Sequence, residues 1–153
     1  MCCAAFAAAA GARGSASAQQ QLAVTELQVG VSGALAHRDF WGAEVGVAWR
    51  PHGQDRFAAS AAVGDGQGAV AVRAGATAQF VLRPAARTGL SPYAGLGLAF
   101  AGARGVAGAG YLLATLGVEA APGRRRGWFV EVGLGGGIRG AVGLRWRHLP
   151  RGW

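Results

Sequence analysis

From Val24 onward, apolar and small or polar positions alternate with a period of two. Thr25, Leu27, Val29, Val31 and Leu35 share one face, and Glu26, Gln28, Gly30, Ser32 and Ala34 share the other. The next segment repeats the pattern, with Trp41, Ala43, Val45, Val47 and Trp49 set against Gly42, Glu44, Gly46, Ala48 and Arg50. Alternation over this many residues specifies strands, because only a pleated chain turns every second side chain to the same side. Six further segments behave alike. Residues 56–64 align Phe57, Ala59, Ala61 and Val63, and residues 69–83 align Val70, Val72, Ala74, Ala76, Ala78, Phe80 and Leu82. Residues 92–101 align Ala94, Leu96, Leu98 and Phe100; residues 110–120 align Leu112, Ala114, Leu116 and Val118. Residues 128–135 carry Trp128, Val130, Val132 and Leu134, and residues 139–148 carry Val142, Leu144 and Trp146. The pattern predicts an all-β domain of eight antiparallel strands. Each has about eight to fifteen residues, around the length of a tilted membrane-crossing strand.

The connections fall into two alternating sets. Residues 51–55, 84–91 and 121–127 contain Pro and charge, as turns do, while 36–39, 65–68, 102–108 and 135–137 are short and mostly Gly-rich. In an up-and-down barrel with both termini on one side, the first set becomes periplasmic turns and the second becomes short surface loops.

Composition narrows the class. Hydrophobic residues make up 52% and charged residues 14%, against roughly 25% charged in ordinary soluble domains. No run approaches the ~18 apolar residues that a transmembrane helix needs, so the chain is apolar enough for lipid but cannot cross it as a helix. All 15 basic residues are Arg, as a GC-rich genome would produce, and the net charge is +8. These arginines are dispersed, and only Arg124-Arg125-Arg126 cluster, which argues against a nucleic-acid partner. Ahead of the strands, Ala4 to Ala10 with Phe6 forms a short apolar run, and Ala16-Ser17-Ala18 offers a small-residue cleavage site. The expectation is a signal peptide over 1–18, cleaved after Ala18, although Met1-Cys2-Cys3 lacks the basic start. The mature domain, 19–153, then contains no cysteine and no disulfide.

Alternation alone does not distinguish a soluble barrel from a membrane one; the content of the two faces does. On the face opposite the aliphatic one lie Glu26, Glu44, Glu119 and Glu131, with Arg50, Arg56, Arg73, Arg83, Arg139, Arg145 and Arg147. Asp39, Asp55 and Asp65 fall in connections, and no strand charge lands on the aliphatic face. That face carries Trp41, Trp49, Phe57, Phe80, Phe100, Trp128 and Trp146, each near a strand end. A soluble core wants bulky rings in its middle; a membrane girdle wants them at its two interfaces. The charged face is otherwise mostly Gly, Ala, Ser and Thr, which suits the narrow interior of an eight-stranded barrel.

Charges inside such a barrel must pair, because an isolated buried ion costs several kcal/mol. The expectation is an interior ionic network of Glu26, Glu44, Glu119, Glu131, Arg73, Arg139, Arg145 and Arg147 that plugs the lumen. Glu131, Arg145, Arg147 and Glu26 should meet toward the periplasmic end, with Glu119 at a similar depth. Arg50 and Arg83 stand close enough to strand ends to reach water at the rim.

Ser91-Pro92-Tyr93-Ala94-Gly95-Leu96-Gly97-Leu98 resembles the PY-x-G-x-G strand opening of small outer-membrane barrels of the OmpA/OmpX type. Gly117-Val118-Glu119 resembles their G-V-E strand end. The resemblance covers the chain from about Gln21 and speaks to fold and location rather than activity. It implies residence in the outer membrane, contact with its lipid and lipopolysaccharide, and insertion by the barrel-assembly machinery. One departure stands out: Trp153 is the terminal aromatic these proteins usually carry, but Pro150 interrupts the strand and Trp153 is out of phase with Trp146.

The candidates for chemistry are sparse. Arg145-Trp146-Arg147-His148 resembles the strand that carries the catalytic His of outer-membrane lipid A deacylases, but Pro150 stands where that family has its nucleophilic Ser. His37 and Asp39, with Asp65, resemble the loop residues of lipid A palmitoyltransferases, yet neither loop contains Ser. The three histidines, His37, His52 and His148, are too far apart in sequence for a metal-ligand spacing. Gly133-Leu134-Gly135-Gly136-Gly137 lacks the Lys-Ser/Thr of a phosphate loop and suits a tight hairpin. The expected function is therefore a non-enzymatic, monomeric outer-membrane barrel in a structural or surface-interaction role, without cofactor or metal. The alternatives are a secreted soluble barrel with an apolar ligand in an aliphatic interior, and a lipid A-modifying barrel enzyme.

Overall fold

The computed structural model describes residues 23–149. They form β1 (Val24–Leu35), β2 (Phe40–His52), β3 (Asp55–Gly66), β4 (Ala69–Val81), β5 (Leu90–Ala103), β6 (Val106–Ala120), β7 (Arg126–Leu134) and β8 (Ile138–His148). Each strand pairs antiparallel with the next, and β8 pairs back onto β1, which closes the sheet into a barrel. Closure gives every strand a neighbour on both sides, so most backbone N–H and C=O groups find partners between strands, as a membrane-crossing sheet requires. The first half of β6 runs past the end of β7, whose ladder with it spans Ala114 to Glu119. The eight strands are those the alternation predicts. The expected signal peptide over 1–18, and Pro150 and Trp153 at the other end, lie outside the described residues.

The two faces separate as the period of two demands. In β1, Glu26, Gln28, Ser32 and Ala34 are buried, while Thr25, Leu27, Val29, Val31 and Leu35 are exposed. The aliphatic face is the outer one: Leu112 is 83% exposed and Leu96 71%, against 0% for Glu119. An aliphatic interior, which a soluble barrel with an apolar ligand would need, is therefore not what this fold has. Trp41, Trp49, Phe57, Phe80, Phe100, Trp128 and Trp146 are all exposed on the outer face. Five of them, Trp49, Phe57, Phe80, Trp128 and Trp146, lie toward the end where β1 begins and β8 finishes, the terminal end of the barrel; Trp41 and Phe100 lie toward the other. Trp49 and Phe57, paired across β2 and β3, stack with ring centroids 6.3 Å apart.

Three local features differ from the sequence expectation. β2 runs on through Pro51 to His52, with a register shift after Trp49 that absorbs the proline. The expected loop over 102–108 is a hairpin instead, because β5 reaches Ala103 and β6 starts at Val106. The longer strands also bring charge onto the outer face: Asp55 pairs with Phe80, Asp65 with Trp41, and Arg126 with Trp146. These three sit at strand ends, level with or beyond the rings, where a charge can reach water. Between β3 and β4 the turn residues Gln67 (φ 56°) and Gly68 (φ 82°) both adopt positive φ, the requirement of a tight hairpin whose twist matches its strands. Asp65 Oδ2 accepts the Gly68 N–H at 3.1 Å and holds that turn.

Candidate functional site

The lumen is where this chain concentrates its polar side chains. Near the terminal end, Glu119 of β6 is the hub: its Oε2 accepts from Arg56 Nη1 at 2.9 Å, Arg145 Nη1 at 2.6 Å and Arg147 Nη2 at 2.7 Å. Glu26 of β1 faces the same arginines from the opposite wall, 3.5 Å from Arg56 Nη1 and 3.6 Å from Arg147 Nε. Arg50 Nε lies 2.6 Å from Glu26 Oε1, an ion pair by distance whose N–H is not aimed along the contact. Two carboxylates thus face four buried guanidinium groups. The surplus charge meets carbonyl dipoles and ring faces: Arg50 donates to Pro84 O and Pro122 O, and Arg147 donates to Arg124 O. Arg56 and Arg145 lie 4.5 and 5.0 Å from the Tyr93 ring centroid, and Arg145 also lies 4.3 Å from that of Phe129. A cation over a ring face retains part of the stabilisation that burial strips away.

A second layer lies closer to the loops. Arg139 of β8 bridges two carboxylates, with Nη2 2.7 Å from Glu44 Oε2 and Nη1 2.7 Å from Glu131 Oε1. The two layers are joined by neutral groups. The Tyr93 hydroxyl donates to Glu131 Oε2 at 3.1 Å and accepts from Arg145 Nη2 at 3.2 Å. Gln28 accepts from Arg145 Nε at 3.2 Å and reaches Glu44 Oε1 at 3.5 Å. Beyond this layer, a cavity of about 240 Å³ opens at the loop end, lined by His37, Arg38, Asp39, Phe40, Arg73 and Tyr111 among alanines and glycines. A smaller space of about 20 Å³ lies among Gln28, Thr77, Gln79, Glu131 and Arg139.

Of the eight residues expected to form the network, Glu26, Glu44, Glu119, Glu131, Arg139, Arg145 and Arg147 come together in the lumen as carboxylate–guanidinium contacts. Arg73 also faces inward but stands apart: it donates to Gly135 O at 2.9 Å and lies 6.0 Å from the Phe40 ring centroid, with no carboxylate in ion-pair range among the described residues. The grouping along the barrel also differs. Glu131 does not meet Arg145 and Arg147; it is level with Ala141 across the β7–β8 ladder and binds Arg139. Arg83 is exposed, but Arg50 is buried rather than at the wet rim. Arg50 and Arg56 belong to the network although only their face, not their membership, was expected. Tyr93, Gln28 and Gln79 were overlooked; their inward parity was the available signal, and Gln79 accepts from Arg56 Nε at 2.7 Å.

The residues with catalytic resemblance have ordinary structural neighbours. His148 is exposed on the outer face at the end of β8, while the flanking Arg145 and Arg147 are buried in the network. Asp39 Oδ1 accepts the Ala36 N–H at 3.3 Å within the β1–β2 loop, and the His37 carbonyl accepts from Gln67 Nε2 at 3.3 Å, tying that loop to the β3–β4 turn. The lining of the mouth cavity includes no serine or threonine among the described residues.

No family model matches this chain, and no curated protein matches it. Solved structures do. The chain superposes on the N-terminal β-barrel domain of Pseudomonas aeruginosa OprF with a TM-score of 0.65 and 13% identity, covering 84% of this chain and 98% of that one. It superposes on Neisserial surface protein A (NspA) with a TM-score of 0.52 and 14% identity, covering 82% of this chain and 95% of that one. At these identities the likeness establishes the fold: an eight-stranded closed barrel of the kind those two proteins have.

Proposed function

We propose that this protein is an integral outer-membrane barrel with a structural or surface-contact role, no catalytic activity, and a lumen plugged by its own side chains. The observation that carries the reading is the inverted distribution of polarity. Large apolar side chains cover the outer face along all eight strands, while the strand carboxylates and guanidiniums inside the rims point inward. Monomeric soluble proteins rarely expose a contiguous apolar patch larger than a few hundred Å², and this apolar surface encircles the molecule. The rings toward both strand ends match the two interfaces of a bilayer. The likeness to barrels of OprF and NspA supports the same reading. In this account the chain is exported through the segment 1–18, inserted by the barrel-assembly machinery, and surrounded by outer-membrane lipid and lipopolysaccharide as a monomer.

Cell fractionation tests it. The protein should partition with the outer membrane, resist extraction by carbonate, and migrate faster on detergent gels unheated than boiled. Recovery in the soluble periplasm would end the membrane reading.

A further inference from the structure

The described residues carry their surplus of positive charge at one end. At the loop rim Arg38 and Arg104 are matched by Asp39 and Asp65, and in the middle layer Arg73 and Arg139 are matched in number by Glu44 and Glu131. The terminal end is different. There Arg83, Arg124, Arg125 and Arg126 are exposed against one exposed carboxylate, Asp55, and the buried layer beneath adds four arginines to two glutamates. The β6–β7 turn bearing Arg124 and Arg125 is held in place: Arg124 N–H donates to Ala121 O at 2.9 Å, and the Arg125 carbonyl accepts from Arg147 N at 2.7 Å. Arg126, the first residue of β7, points outward on the aliphatic parity, opposite Trp146 and two residues before Trp128.

We propose that Arg124, Arg125 and Arg126, beside Trp128 and Trp146, form a binding site for the phosphodiester headgroup of anionic phospholipid in the leaflet at the terminal end. The inference rests on the membrane reading and adds a ligand to it. A ring at headgroup level marks the depth of the interface, and a guanidinium on the same face at that depth meets phosphate oxygens, which its planar fork can bind in bidentate fashion. None of the three has a carboxylate in ion-pair range among the described residues. The loop rim, with its charges balanced, offers no such site. Each arginine at an anionic surface contributes about a fivefold gain in affinity, so three together give on the order of a hundredfold.

The test uses the full mature chain folded in zwitterionic micelles, with bound lipid counted by native mass spectrometry against phosphatidylglycerol and phosphatidylcholine. The wild type should retain phosphatidylglycerol in preference, on the order of a hundredfold, and the preference should fall as salt shortens the Debye length. R124Q/R125Q/R126Q should lose the preference, and R38Q/R104Q should keep it. Inorganic phosphate added at equal concentration should displace little lipid; displacement as effective as by phosphatidylglycerol itself would show a free-anion site and overturn the proposal. An unchanged preference in the triple variant, or an equal loss in R38Q/R104Q, would also overturn it. Heat-dependent gel mobility of each protein separates the two claims: a wild type that never folds in micelles defeats the membrane reading and this one with it, while a folded wild type without lipid preference defeats this one alone.

Discussion

Replacing Glu119 with Gln tests whether the lumen is held together by its ion network. The substitution keeps the shape and one carbonyl acceptor but removes the charge that Arg56, Arg145 and Arg147 share at 2.9, 2.6 and 2.7 Å. All four side chains are at most 2% exposed, so water cannot replace the lost partner. Breaking one member out of a buried ion pair costs about 3–5 kcal/mol, because the remaining charge is left buried. Here the layer already has four guanidiniums for two carboxylates, and Glu26 alone would face them. The retained amide oxygen moderates the loss, which places Glu119→Gln near the lower bound, about 3 kcal/mol. The assay is urea unfolding of protein folded into phospholipid vesicles, with the free energy taken from the midpoint and slope. A double-mutant cycle sharpens it. Arg147→Met removes one of the cations that Glu119→Gln strands, so the double variant should be more stable than the sum of the single losses implies, by about 1 kcal/mol or more. A Glu119→Gln loss within about 0.5 kcal/mol, or an additive cycle, would refute the reasoning, since that is the size expected of a surface substitution.

Further predictions follow from the same geometry. A methyl at Gly117 would overlap the Tyr93 ring that joins the two layers; Gly117→Ala should cost about 1–3 kcal/mol of unfolding free energy as an overpacked site. Trp128→Ala and Trp146→Ala should each lose about 1–2 kcal/mol in vesicles, as interfacial anchors do, and their fluorescence should respond to quenchers placed at headgroup depth. Wild-type protein in planar bilayers should show no steady conductance, because Arg139 spans the lumen between Glu44 and Glu131; a persistent open channel would contradict the plugged interior.

The strands were legible in the sequence because the period of two is a local property. Once the aliphatic residues set the parity, the direction of Trp41, Leu112 or Glu119 followed without knowledge of the partner strand. The partners inside the lumen did not follow. Arg56 and Glu119 sit on β3 and β6, which share no ladder, and meet only because the lumen is narrow. Adjacency misled in the case of Glu131: strands tilt and stagger in a closed barrel, so residues on neighbouring strands need not share a depth. Strand ends were the other weak point. Arg126 reads as part of a basic turn in the sequence, yet the β7–β8 ladder extends to it and turns it outward beside Trp146.

The central claim is that lipid covers the outer face, and a charge placed at its mid-height tests it most directly. Leu96, paired with Ala78 and Ala114, lies between the level of Phe80, whose partner is Ala94, and that of Phe100, and is 71% exposed. On a lipid-facing surface, Leu96→Arg should lower the unfolding free energy in vesicles by about 2–4 kcal/mol, as arginine does at a bilayer midplane. On a water-facing surface the same change should stay within about 0.5 kcal/mol, and that result would contradict the account.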